Sequence, residues 1–138
     1  MSSTEWITEL LENENPSYIK QAISRIENPE LLHAIALNYY WDNGFEVPNW
    51  IVENGNCEFG TALLLFYRAD GYVLLKNNKD MTTGQTEWVA FVSNLLNKLI
   101  KNHFSISKVP YEPELTKVQK YKLKKANPNI PEIIFDGV

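Results

Sequence analysis

Apolar residues return at a helical interval through most of the chain. Trp6, Ile7, Leu10 and Leu11 predict a first helix behind Ser2, which with Glu5 fits a capping box, each side chain bonding backbone N–H groups at the helix start. Tyr18, Ile19, Ala22, Ile23 and Ile26 predict a second helix, and Leu31, Leu32, Ile35, Ala36 and Tyr39 a third. The second and third both open on Asn-Pro, at Asn15 and Asn28. Asparagine suits the cap because its side-chain oxygen accepts an orphan N–H, and proline suits the next position because the N–H it lacks would have no partner there. Two successive openings of one form suggest a short array of helical hairpins.

The third helix runs into NYYWDNGFEVPNW, residues 38–50. Asp42, Asn43 and Gly44 are turn formers, so the chain is expected to reverse there, with Asp42 accepting local N–H bonds and capping the helix that follows. That helix should start near Glu46, hold Pro48 in its first turn and turn Val47, Trp50 and Ile51 inward. After ENGNCEFG, the residues Ala62 to Tyr67 are apolar on every side, which predicts a central helix over Thr61 to Asp70 enclosed by protein. Gly71 is expected to cap its C-terminus.

Residues 72–75, YVLL, fit a short strand or one more helical turn, and KNNKDMTTGQ is a polar loop. Trp88, Val89, Val92, Leu95, Leu96, Leu99 and Ile100 then predict the longest amphipathic helix, from Thr86 towards His103. A lysine-rich helix is expected from near Pro113, with Leu115, Val118 and Tyr121 or Lys122 as a thin inward seam, although 117–125 would also suit an edge strand. Ile130, Ile133, Ile134 and Phe135 give the ending enough apolar weight to dock on the core. The expected architecture is all-α, a single domain over 1–138: an irregular antiparallel helical-hairpin bundle of about six or seven helices, with HEAT-like stacking as one form of it.

Composition narrows the classes. At 138 residues, 44% hydrophobic and 22% charged, the chain can bury a core without metals or disulfides to staple it. Cys57 is the only cysteine, so neither an internal disulfide nor a multi-cysteine metal site can form, which suits a reducing compartment. The first residues lack the basic and apolar regions of a secretory signal, and no apolar run approaches the roughly 20 residues a bilayer needs, so a cytoplasmic protein without membrane contact is expected.

The net charge of −4 conceals a division. Residues 1–75 hold three basic side chains (Lys20, Arg25, Arg68) against eleven acids, a net −8, whereas 76–138 hold ten lysines against six acids, a net +4. Such a chain should present an acidic and a basic face, the acidic one repelling nucleic acid and attracting a basic partner.

The stretch Leu31 to Leu75 resembles a family of small bacterial proteins catalogued as a domain of unknown function, with the pattern N-Y-x-W-D-x-G-F, then N-x-x-C, then G-T-A-L-x-L-F-Y-x-A-D-G. The positions that carry it are Asn38, Tyr39, Trp41, Asp42, Gly44, Phe45, Cys57, Gly60, Thr61, Ala62, Phe66, Tyr67, Ala69, Asp70 and Gly71. The resemblance implies a bacterial source and a helical fold, and brings no established activity. A looser similarity links the Asn-Pro helices to HEAT and leucine-rich-variant repeats. By analogy with small acidic proteins that serve as immunity or antitoxin partners, a role in binding a basic protein such as a cognate toxin is expected.

The aromatics around residue 40 are the strongest binding candidates, because exposed Tyr and Trp give large contact area at low entropic cost. Tyr39, Phe45 and Trp50 are expected inside, leaving Tyr40 and Trp41 as interface candidates with Asp42, Glu46 and Glu53 as an acidic rim. Asp42, Gly44, Asp70 and Gly71 read first as turn residues. The alternative is a hydrolase-like or metal-dependent enzyme gathering Asp42, Glu46, His33 and Asp70, although no spacing among them matches a metal motif. Arg68 suits a structural salt bridge and Cys57 the core. No phosphate loop, G-x-S-x-G or nucleotide fingerprint occurs, so no catalytic residue, metal ligand or cofactor is assigned. The run Lys117, Lys120, Lys122, Lys124 and Lys125 around Tyr121 reads as a solvated helix face with weak nucleic-acid affinity at most.

Overall fold

A computed structural model of the chain describes residues 3–76 and 86–138. Among them lie nine α-helices, a 3₁₀ turn at Trp41–Asn43, and no strand. The helices are α1 (Ser3–Leu11), α2 (Pro16–Ser24), α3 (Pro29–Asn38), α4 (Glu46–Glu53), α5 (Phe59–Arg68), α6 (Gly71–Lys76), α7 (Glu87–Ile100), α8 (Lys117–Ala126) and α9 (Ile133–Asp136). Seven of them run eight residues or more, in line with the expected number, and α6 and α9 are the short additions. The expected capping box at Ser2 and the polar loop after Lys76 fall outside the described residues.

The Asn-Pro openings fold as their chemistry dictates. Asn15 Oδ1 accepts the Ser17 N–H at 3.1 Å and Asn28 Oδ1 accepts that of Glu30 at 2.9 Å, with proline at the start of each helix. The helices then stack in rows: α1 on α3, α3 on α5 and α5 on α7, with α2 on α4 and α6 on α8 beside them. α5 is the centre, its residues Phe59 to Phe66 all buried. A helix apolar on every side needs protein on every side, and α3, α6 and α7 supply much of it.

Three local expectations turn out differently. Asp70, not Gly71, takes the left-handed conformation after α5 (φ 61°), and Gly71 instead opens α6, where a side chain would collide with the Phe66 ring. Residues 72–75 accordingly lie in a helix. α8 starts at Lys117 and not near Pro113, because Thr116 and Gln119 form a reciprocal capping box of 3.1 and 2.8 Å.

The third difference is the facing of α8. Leu123 is its buried residue, while Val118 and Tyr121, expected inside, are 61% and 64% exposed. Three contacts set that rotation. Leu123 enters the core, the Asn127 amide donates to the carbonyls of Leu75 and Leu123 at 2.9 Å, and Lys120 and Lys124 reach Asp136 at 3.6 and 3.0 Å. The tail docks as expected: Ile134 and Phe135 are fully buried, the Tyr67 hydroxyl donates to the Ile134 carbonyl at 2.7 Å, and Tyr111 and Val138 exchange backbone hydrogen bonds. No helix of the described residues is long and apolar enough to cross a membrane.

Candidate functional site: an acidic corner

α3 ends where Tyr39 turns extended, and the 3₁₀ turn then swings the chain into α4. Gly44 closes the turn at φ 94°, a conformation that L side chains avoid. The Tyr39 hydroxyl donates to the Gly44 carbonyl at 2.6 Å, which ties the two ends of the corner together. Burial pushes this phenol up to about 12, and the charge of Glu46 adds to the effect.

Trp41 is half-buried and packs on the aromatic residues of the corner. Its ring meets Tyr39 at 5.4 Å, Phe45 at 6.3 Å and Phe91 at 6.1 Å, all edge to face, while Phe45 and Phe91 stack at 5.3 Å. Its indole Nε1 is buried with no hydrogen-bond partner among the described residues. Trp41 is therefore half-buried, one side of its ring covered by Phe91 of α7. Tyr40 does face solvent, at 65% exposure, and the Asp42 carboxylate within hydrogen-bonding reach holds its phenol above the ordinary value. Asp42 does not cap α4: the cap residue is Phe45, which makes no side-chain bond there.

Two grooves flank this corner. One, of about 440 Å³, has buried Ile19, Tyr39 and Val47 beneath it, Leu11 and Trp50 as half-buried walls, and exposed Glu12, Asn43 and Glu46 at its edge. The other, of about 500 Å³, lies between Phe45 and Asn49 on one side and Glu87, Ala90 and Asn94 of α7 on the other. Asn43 and Glu46 line both. Glu53, the last residue of α4, sits roughly 10 Å along the helix from Glu46 and lines a separate groove with Lys98 and His103. The structure thus brings Asp42 and Glu46 to one corner and sets Glu53 apart.

His33 lies elsewhere, its Nδ1 2.9 Å from Thr61 Oγ1. Burial, then the charge of Arg68, lowers its pKa from the ordinary 6.5, so it is neutral at pH 7. Among the described residues no three His, Cys, Asp or Glu side chains gather where they could hold a metal ion. Arg68 is exposed and makes no salt bridge among the described residues, contrary to expectation, because α5 delivers it to the surface.

Several decisive residues were not singled out from the sequence. Of the eleven acids in residues 1–75, ten are exposed and Glu58 alone is buried. One of its oxygens accepts the consecutive N–H groups of Ser107, Lys108 and Val109 at 3.0, 2.8 and 3.0 Å. Burial raises this carboxyl, but the three donors and the Lys108 ammonium outweigh it and hold the group below its ordinary 4.5. The Asn54 amide likewise bonds the Ile23 and Ile26 carbonyls at 2.8 and 3.0 Å, pinning the end of α2 to the end of α4. A charged residue followed at once by an apolar helix was the available signal for Glu58.

Cys57 packs in the core, where burial and then the Glu58 charge, opposed by Lys98, push the thiol up to about 12. A thiol reagent at pH 8 is expected to leave native Cys57 at least about 100-fold slower to react than the unfolded chain, since both thiolate and access are lacking. Equal rates would contradict the buried placement.

Comparison with known proteins places this corner in context. No curated protein and no solved structure matches the chain. A family model described as a domain of unknown function (DUF4274) matches residues 27–100, which take in α3, the 3₁₀ corner, α4, α5, α6 and α7. With more than half of its length matched, this chain belongs to the DUF4274 family.

Proposed function

We infer that the chain is a non-enzymatic protein-binding module whose acidic N-terminal half docks a basic protein at the 3₁₀ corner. The observation that carries this reading is a corner that exposes Tyr40 and flanks a groove with an apolar floor and exposed Glu12 and Glu46 at its edge. Neither glutamate forms a salt bridge among the described residues. Lysine or arginine on a partner would meet charge there that no described residue pairs with, while an aromatic anchor supplies contact area. Occlusion of a basic toxin, as an immunity or antitoxin protein achieves it, is the form of binding such a surface suits, and buried, unreactive Cys57 suits a reducing cytoplasm.

The test compares immobilised wild type with a Tyr40→Ala/Glu46→Lys variant of matched melting temperature against proteins of the source cell. A basic protein retained by wild type should bind the variant at least about 30-fold more weakly, roughly 2 kcal/mol, with an association rate that falls as salt rises. Retention of the same proteins by both chains would defeat the reading.

A further inference from the structure

α8 presents an outer face that no described residue covers. Val118, Tyr121, Lys122 and Lys125 follow the helical interval of three and four residues, and all are exposed. Lys120 and Lys124 are engaged with Asp136, whereas Lys117, Lys122 and Lys125 make no salt bridge among the described residues. The face is therefore an apolar pair, Val118 and Tyr121, framed by three uncompensated positive charges.

The groove of the acidic corner has the opposite pattern: apolar Ile19, Val47 and Trp50 within, exposed Glu12 and Glu46 at the edge. Helix face and groove match in both polarity and charge, the combination by which an amphipathic helix lies in a groove. They cannot meet within one chain. α8 is held on α6 and α9 and tied to Leu75 through Asn127, whereas the groove is built by α1, α2, the corner and α4, beyond α5 and α3 in the packing order.

We propose that the outer face of α8 docks in the acidic groove of a second copy of this chain, giving a head-to-tail association. This rests on the reading of the corner as a protein-docking site and names the basic surface it takes as α8 of another molecule of the same protein. Two different surfaces are joined, so the contact is heterologous and closes into a ring or continues as a chain according to the rotation between copies. A polyanionic nucleic acid is the weaker match for α8, since the remainder of the molecule carries the acidic excess that repels phosphate.

Sedimentation velocity across concentration and salt provides the test, with two charge-reversed chains: Lys117→Glu/Lys122→Glu/Lys125→Glu on the helix and Glu12→Lys/Glu46→Lys on the groove. All five positions are exposed, and unchanged melting curves confirm folding. Wild type should exceed monomer mass at low salt and return to monomer as salt rises. Each reversed chain alone should be monomeric, and the mixture of the two should associate again, because each supplies the surface that complements the other. Wild type that stays monomeric up to about 1 mM overturns the proposal, as does association that survives both reversals. A monomeric chain whose α8 lysines retain duplex DNA at physiological salt assigns the helix to nucleic acid and overturns it too. If the chain is monomeric and a foreign basic protein still binds wild type but not the Tyr40→Ala/Glu46→Lys chain, the docking role of the corner stands and self-association alone is removed.

Discussion

A Glu58→Ala chain is expected to unfold about 3 kcal/mol more readily than wild type, which lowers the melting temperature by roughly 10 °C at this size. The loss comes from three donors left without an acceptor. Ser107, Lys108 and Val109 all aim their N–H groups at one Glu58 oxygen, and Val109 is itself buried, so water cannot replace the carboxylate there. Hydrogen bonds to a charged acceptor are individually stronger than this total implies, but desolvating the carboxylate offsets part of their gain. Glu58→Gln keeps an acceptor oxygen and drops the charge, and should lose about half as much. Urea unfolding at neutral pH measures both; a loss below about 0.5 kcal/mol for alanine would mean that residues 105–109 are held by something else.

The same carboxylate sets an acid limit. Its pKa is lowered on folding, so between the folded value and the ordinary 4.5 the unfolded chain binds more protons than the folded one. The stabilisation is complete above pH 4.5 and disappears as pH falls through the folded value. Wild type should therefore lose stability more steeply than Glu58→Gln below pH 4.5, and parallel pH profiles would contradict the assignment.

Gly60→Ala is the second large effect, and its sign runs against helix propensity. Alanine inside a helix is ordinarily better than glycine by about 1 kcal/mol. Here the added methyl would overlap the Val109 carbonyl oxygen and press on Val109 Cγ1 at 3.2 Å. A backbone carbonyl cannot swing aside as a side-chain tip can, and the segment that carries it is fixed by Glu58 and by the Phe59 N–H, which donates to the Ser105 carbonyl at 2.9 Å. A net loss of roughly 2 kcal/mol is expected, the overpacking cost exceeding the propensity gain. Combined with Glu58→Ala the two losses should fall short of their sum, because both release the same segment. Strict additivity, or a stabilised Gly60→Ala chain, would show that the segment stands off from α5.

The features legible in the sequence are those decided by near neighbours. Asn15 and Asn28 bond residues two positions on, and the apolar run inside α5 needs no partner to announce burial. The corner was legible as a corner for the same reason, Gly44 and its polar neighbours being local turn chemistry. Where partners are remote the sequence misleads. The half-buried state of Trp41 depends on Phe91, fifty residues on in α7. The facing of α8 depends on Leu75 and Asp136, 52 and 12 residues from the side chains that engage them, so Val118 and Tyr121 could not be oriented from their own spacing. Glu58 finds its donors 49 to 51 residues later, and no pattern near Glu58 points to them.

That last separation has a consequence for biosynthesis. The rows of helices join elements close in the chain, so α1 to α5 can begin to stack as soon as they leave the ribosome. The segment that covers the start of α5 is made about fifty residues later, several seconds at ordinary translation speeds, and the tail contact from Tyr67 to Ile134 later still. For that interval the most apolar helix of the protein stands with one flank uncovered, which makes the half-made chain, more than the finished one, the form that a chaperone would recognise.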